Sequence, residues 1–146
     1  MRNGRAALLL LSGVTVLASG CAPTTARVAP AEVQEYVFPA WSPTDAAPEE
    51  GRELQKAWQD VVAGKSAAAE KRYRKLLAKH PALAPAETGV GYALLRAGRV
   101  AEANRMFQGV LARRPDDVPT LAGAALAAVR EGRAEDALAH LRRAAA

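Results

Sequence analysis

The side chains that most often carry out chemistry are sparse in this 146-residue chain, which has one cysteine and two histidines. His80 and His140 lie far apart in the sequence, and the carboxylates are scattered, mostly near predicted helix starts. An active site needs a nucleophile, a base or a set of metal ligands that converge in space. The sequence therefore predicts no catalytic residue, no metal site and no cofactor, and the chain is not expected to be an enzyme.

The single cysteine, Cys21, lies directly after a segment with the composition of an export signal. Arg2 and Arg5 precede a short apolar stretch, residues 6–18, which is too short to cross a bilayer comfortably. The stretch ends in Ala18-Ser19-Gly20-Cys21, which resembles the lipobox of bacterial lipoproteins, where the cysteine becomes the lipidated first residue. Residues 1–20 are thus predicted to be a lipoprotein signal peptide, with Cys21 lipidated. An ordinary signal peptide that is cut nearby and an uncut anchor are the alternatives.

Lipidation would decide where the protein resides. Each buried methylene of an acyl chain such as palmitate contributes about 0.8 kcal/mol, so several chains would hold the protein on a membrane. In lipoproteins of two-membrane bacteria, alanine after the cysteine, here Ala22, resembles an outer-membrane sorting signal. The resemblance implies an outer-membrane lipoprotein that faces the periplasm. Export also argues against a nucleic-acid partner, despite a net charge of +5.

Proline-rich sequence follows the cysteine. Residues 22–49 hold five of the nine prolines and show no helical periodicity, so an extended linker is predicted over residues 21–47. Within it lies an aromatic segment, residues 35–41, with Tyr36, Phe38 and Trp41 among the seven aromatic residues of the chain. A freely solvated spacer would not usually contain so many.

The aromatic segment has three interpretations. It can pack on the chain's own following domain, dock on a partner, or touch the membrane interface. Residues 22–49 include one basic and four acidic residues, whereas residues 50–146 include 17 basic and 11 acidic residues. Opposite charges favour contact within the chain, although salt screens this attraction.

The remainder of the chain repeats one pattern three times with a period of 34 residues. The matched sets are Gly64, Gly98 and Gly132; Ala69, Ala103 and Ala137; Tyr73, Phe107 and Leu141; and Pro81 with Pro115. A fixed period of this length is typical of stacked helix-turn-helix units. Over roughly residues 50–146 the protein resembles the tetratricopeptide repeat family.

The physical pattern within each repeat points the same way. Val100, Ala103, Phe107 and Val110 fall on one side of a helix, and the glycines lie where a helix end favours positive φ. The sequence predicts an all-α solenoid of antiparallel helix pairs in about three repeats, residues 48–81, 82–115 and 116–146. The first helix of repeat 1 matches that of repeat 2 at an offset of 33. Asp45 is the predicted cap of this first helix, and Asp116-Asp117 caps the first helix of repeat 3.

The resemblance also implies a binding surface. In the tetratricopeptide repeat family the first helix of each repeat lines a concave groove that holds extended peptides or helices. The residues that this places toward the groove are Gln55, Gln59, Tyr92, Leu95, Arg96, Leu126, Val129 and Arg130. Apolar centres with arginine at the edge favour an acidic or carboxylate-bearing peptide.

The expected function is therefore that of a membrane-anchored periplasmic adaptor or scaffold, which binds a protein or peptide partner in an envelope assembly. The alternative is a self-associating structural lipoprotein without a separate peptide ligand. Leu138 and Leu141 of repeat 3 have no following repeat to cover them, and solenoids usually need such cover. The linker, a partner or a second copy could supply it.

Overall fold

A computed structural model describes residues 36–42 and 44–146. Within these ranges there is no strand, and the chain forms the helices α1 (Pro48–Val62), α2 (Ser66–Lys79), α3 (Ala84–Arg96), α4 (Val100–Leu111), α5 (Val118–Arg130) and α6 (Ala134–Ala144). Each helix packs against its neighbours in sequence, and α3 also packs against α1 and α5. The helices thus form three stacked pairs, and the predicted all-α solenoid of tetratricopeptide type is confirmed.

The turn between the two helices of each pair is the same in all three repeats. Gly64, Gly98 and Gly132 have φ values of 77°, 77° and 74°, a conformation that side chains with a Cβ rarely adopt. The residue after each glycine donates its backbone N–H back into the first helix, as in the 2.8 Å bond from Lys65 to the Asp60 carbonyl. This is the arrangement that commonly ends a helix at glycine.

These glycines fix the alignment of repeat 1 on repeat 2. With the glycines superposed, the offset is 34 residues throughout, and the buried positions of α1 and α3 then coincide. The offset of 33 predicted for the first helix is wrong. Trp58 consequently occupies the position of Tyr92, not that of Gly91.

The helix starts follow the predictions only in part. The Asp117 carboxylate accepts a hydrogen bond from the Thr120 N–H at 3.1 Å, which confirms the predicted cap of α5. The cap predicted for α1 is wrong, because α1 begins after Ala47, whose N–H donates to Glu50 Oε2 at 2.9 Å. The Asp45 carboxylate instead accepts hydrogen bonds from the Ser42 N–H, the Ser42 hydroxyl and the Arg114 guanidinium, which is also a cation.

Small residues in the first helices set the spacing between repeats. Phe107 of α4 is fully buried between Gly91 of α3 and Gly123 of α5, and a Cβ at either glycine would overlap its ring. Tyr73 of α2 packs in the same way on Gly89, with a hydroxyl that makes no hydrogen bond within the described residues. One aromatic ring therefore fills the space between successive repeats.

The described part of the predicted linker belongs to the same core. Tyr36 and Ala46, only 6% and 5% exposed, join the apolar cluster formed by the helices. The core of the repeats thus includes residues that precede Pro48. The predicted signal peptide, Cys21 and the linker up to residue 35 lie outside the described residues. None of the described helices is long and apolar enough to cross a membrane.

Candidate functional site

The aromatic segment lies across the first helices of all three repeats. Tyr36 contacts α3 and α5, Phe38 packs on Trp58 of α1 at a ring-centroid distance of 5.6 Å, and Trp41 lies on Gly51 of α1. The segment therefore runs over the surface that the first helices form together. Of the three interpretations of the segment, packing on the chain's own repeats is the one that the described residues 36–41 show.

Two arginines hold the Tyr36 end. The Tyr36 hydroxyl accepts a hydrogen bond from Arg130 Nη2 at 3.1 Å, and Arg130 Nη1 donates to the Leu95 carbonyl at 2.6 Å. The Arg96 guanidinium carbon lies 5.7 Å from the centre of the Tyr36 ring, within the range of a cation–π contact. Arg130 thus connects the segment to α3 as well as to its own helix, α5.

The Trp41 end rests on backbone. A Cβ at Gly51 would overlap the Trp41 indole, so the ring lies directly on the α1 main chain. Phe38 packs edge-on against Trp41 at 6.0 Å and against Trp58, which places it between the two indoles. Both Phe38 and Trp41 remain partly exposed, in contrast to Tyr36. Edge-on aromatic pairs contribute about 0.5–1.5 kcal/mol beyond their buried area.

Tyr92 is the centre of the aromatic cluster beneath the segment. Its ring lies 5.4–5.5 Å from those of Tyr36, Trp58 and Phe107. Its hydroxyl donates to the Pro119 carbonyl at 2.7 Å, which joins α3 to the start of α5. Burial raises the pKa of the Tyr92 phenol well above its usual range, so the ring stays neutral and serves as a packing surface.

A charged contact anchors the chain between the segment and α1. Arg114 donates to Asp45 at 2.6 Å, and the same carboxylate accepts from the Ser42 N–H at 3.0 Å and the Ser42 hydroxyl at 2.8 Å. Hydrogen bonding by Arg114, and then by Ser42, lowers the pKa of Asp45 to about 2. The contact spans 69 positions of sequence and fixes Ser42 and Asp45 near the end of α4.

The structure separates the predicted groove residues into different environments. Tyr92 and Leu95 are completely buried, so the prediction that they face a partner needs correction: the aromatic segment and neighbouring helices cover them. Arg96 and Arg130 contact the segment as described. Leu126 is half-buried, and Val129 is 58% exposed, further along the same helix, α5.

Gln55 and Gln59 do not belong to this surface. With the glycine turns aligned, Gln55 occupies the position of Gly89 and Gly123, each of which contacts an aromatic ring from the preceding repeat. Gln59 lies one turn further on the same side of α1, and both amides are exposed. They face the direction of a preceding repeat, so the prediction that they line the groove is wrong.

Two residues of the site were missed, Trp58 and Gly51. Trp58 precedes Tyr92 by 34 positions, so the repeat period could have revealed it had the offset for α1 been 34. Gly51 gives no comparable signal, because a glycine in the first turn of a helix does not reveal which ring will lie on it.

The described residues offer little for catalysis or metal binding. Within residues 36–42 and 44–146, no three His, Cys, Asp or Glu side chains lie together as a metal ion would require. His80 pairs with Glu50, and burial lowers the pKa of His140. The chemistry that the site does offer is recognition, through aromatic faces, arginine donors and a main-chain platform.

Comparison with known proteins gives one family. The family model "Tetratricopeptide repeat" matches residues 94–146, from the end of α3 through α6. No curated protein and no solved structure matches the chain.

Proposed function

We propose that this chain, whose residues 94–146 match the tetratricopeptide repeat family of protein-binding repeats, is a periplasmic adaptor that is anchored to the outer membrane through Cys21 and binds a partner protein in the cell envelope. The partner inserts an extended segment into the concave face where residues 36–41 now lie. The role is one of binding, without catalysis.

One observation carries this proposal: the surface that the first helices form together already holds a non-helical segment of the chain, residues 36–41. Tyr36, Phe38 and Trp41 contact different residues of the first helices: Tyr36 contacts α3 and α5, and Phe38 and Trp41 contact α1. A surface that binds an extended aromatic segment of its own chain has the shape and chemistry to bind a similar segment of another.

The residues that contact the aromatic segment also indicate the chemistry of the partner. Trp58 and the main chain at Gly51, which Phe38 and Trp41 cover, favour aromatic or large apolar side chains. Arg130 and Arg96 favour a hydroxyl, carbonyl or carboxylate oxygen at the other end. The expected partner segment is therefore extended and aromatic, with an oxygen acceptor near one end.

An exchange of this kind follows the energetics of linked segments. Residues 36–41 are attached to α1, so they occupy the face at a high effective concentration. A partner must compete with that occupant, and weakening the occupant should strengthen the partner. The segment would thus limit binding to partners that offer more contacts than it does.

Crosslinked capture from envelope membranes tests the adaptor role. The full chain carrying Tyr36→Ala should capture more partner than the unmodified chain, because the face is freed. Adding Arg130→Glu to Tyr36→Ala should reduce that capture, because a receptor is removed. Arg105→Glu, at an exposed position of α4, is the matched control. Equal capture by all four proteins would show that the partner binds elsewhere.

A separate experiment tests the anchor. In a two-membrane bacterium supplied with a palmitate analogue, the unmodified chain should take up label and sediment with outer membranes. Cys21→Ser should lose the label and leave the membrane fraction. Unchanged sedimentation and no label on either protein would contradict lipidation while leaving the binding role untouched.

A further inference from the structure

The end of the solenoid beyond repeat 3 presents positions that are buried elsewhere. In repeats 1 and 2, the position three residues before each turn glycine is occupied by Val61 and Leu95, both 0% exposed. In repeat 3 the same position is Val129, which is 58% exposed. Among the described residues, this position is therefore buried in the first two repeats and open in the third.

The second helices show the same contrast. Tyr73 and Phe107 fill the spaces between repeats and are fully buried, whereas Leu141 at the corresponding position is 50% exposed. Two independent positions therefore identify one apolar end face, formed by α6 and the end of α5. Between successive repeats, the rings of Tyr73 and Phe107 at this second position form the contacts.

Helix α6 bears an apolar stripe on its exposed side. Ala134, Leu138, Leu141 and Ala145 are all exposed and recur at i, i+4, i+7 and i+11. This alternating spacing of four and three is the seam along which two helices pack. Small residues at the ends and leucines at the centre allow close approach with a tightly packed middle.

Charges beside the stripe indicate what covers it. Glu135 and Arg142 are seven positions apart, so they flank the stripe on the same side, one near each end of the helix. Neither forms an ion pair among the described residues, unlike Asp136, which binds Arg133. If a second α6 lies antiparallel, Leu138 of each copy meets Leu141 of the other, and Glu135 meets Arg142. The pattern is complementary to itself.

The opposite end of the solenoid does not fit this face. There α1 presents the exposed amides of Gln55 and Gln59, with Arg52 and Lys56 exposed nearby. Head-to-tail stacking would bury these polar groups against leucine and valine without partners. A two-fold arrangement avoids that burial and gives a closed dimer.

From the exposed register positions and the charge pattern of α6, we propose that the face formed by α6 and the end of α5 binds a second copy of this chain, with the two α6 helices antiparallel. The occupant is this same protein, through a surface distinct from the one that holds the aromatic segment. The dimer does not depend on the proposed adaptor role.

Sedimentation equilibrium of the full chain, in a detergent matched to the solvent density, tests the dimer. The unmodified chain should pass from monomer to dimer as its concentration rises, and Leu141→Glu should abolish the dimer. Glu135→Arg and Arg142→Glu should each raise the dimer Kd about tenfold, since two attractions become two repulsions. The double variant Glu135→Arg/Arg142→Glu should restore Kd to within about threefold of the unmodified value.

The control variant is Arg105→Glu, which reverses an exposed charge on α4 and should leave Kd unchanged. Thermal unfolding followed by circular dichroism verifies that each variant folds. A monomer at every concentration would overturn the proposal. So would a dimer that Leu141→Glu leaves intact, or a double variant as weak as the single ones, because neither is compatible with antiparallel α6 helices.

Discussion

Replacing Tyr36 by alanine should destabilise the folded repeats by about 3 kcal/mol. The side chain is 6% exposed, and a buried tyrosine removes about 200 Å² from water. At about 25 cal/mol per Å², this area corresponds to an upper bound of about 5 kcal/mol. The actual loss should be smaller than this bound, because alanine still buries part of the area and a surface segment can relax around the gap. Tyr36→Phe should lose only about 1 kcal/mol, for the hydrogen bond from Arg130.

The stronger expectation concerns two substitutions together. Trp41→Ala alone should cost about 2 kcal/mol, because the indole is only partly buried. Tyr36 and Trp41 bind different helices and have no direct ring contact in the described structure. If residues 36–41 dock as one unit, Tyr36→Ala already releases the segment and Trp41 then has nothing more to lose. The double variant should therefore be destabilised by about 3 kcal/mol, well short of the sum of about 5.

Urea unfolding of the full chain measures these losses. Circular dichroism reports the helices, and fluorescence reports the two tryptophans, Trp41 in the segment and Trp58 beneath it. Losses that add fully in the double variant would refute docking as one unit. A loss below about 0.5 kcal/mol for Tyr36→Ala would refute the docking itself, since surface substitutions away from packed contacts stay within that range.

Three further results are expected from the packing and charges described above. Gly123→Ala should lower the free energy of unfolding by about 1–3 kcal/mol, because the new Cβ meets Phe107. Gly109→Ala should raise it by about 0.5–1 kcal/mol, because this helical glycine faces open space. Thermal melts in which both variants shift in the same direction would contradict the packing. Tyr73→Phe should be neutral or stabilising by up to about 1 kcal/mol, since it removes a buried hydroxyl without a hydrogen bond in the described structure, and a clear loss of stability in urea unfolding would show a hidden partner. Because the folded pKa of Asp45, about 2, is below its ordinary value of 3.8, the stabilisation is complete above pH 3.8 and is lost as pH falls toward 2. Asp45→Asn should cost about 1–2 kcal/mol at pH 7 and almost nothing near pH 2, and an equal cost at both would exclude the charged contact.

The helical architecture was predictable because its signals are local and repeated. Turn glycines require positive φ, and the apolar stripes require a helix, so Gly64, Gly98 and Gly132 marked three turns without any knowledge of tertiary contacts. Asp117 was equally local, since a cap binds an N–H three residues away. Each of these features depends on a few neighbouring residues.

The site was less predictable because it depends on distant contacts. The composition of the aromatic segment is compatible with packing on its own domain, on a partner or at a membrane. Only the residues that it contacts distinguish these three possibilities, and they are Gly51, Trp58, Tyr92 and Arg130. Asp45 could have capped a nearby helix, but Arg114, far along the chain, binds it instead. Neither competition can be read from sequence spacing.

The groove residues show a different source of error. Transferring a family's concave surface onto one chain assumes that the surface is open, whereas here Tyr36 covers Tyr92. Gln55 and Gln59 were assigned to the groove as polar residues of a first helix, although the repeat register turns them toward the preceding position. An alignment anchored on the turn glycines would have corrected both the offset and this assignment.

Whether the face that holds residues 36–41 is a peptide-binding surface can be measured with a peptide supplied as a separate molecule. A labelled peptide of residues 33–42 is titrated with the full chain carrying Tyr36→Ala and Trp41→Ala, and fluorescence anisotropy reports binding. We expect saturable binding to this variant, weaker binding when Arg130→Glu is added, and little binding to the unmodified chain, whose face is occupied. No binding to the opened variant, or equal binding to the unmodified chain, would contradict this expectation.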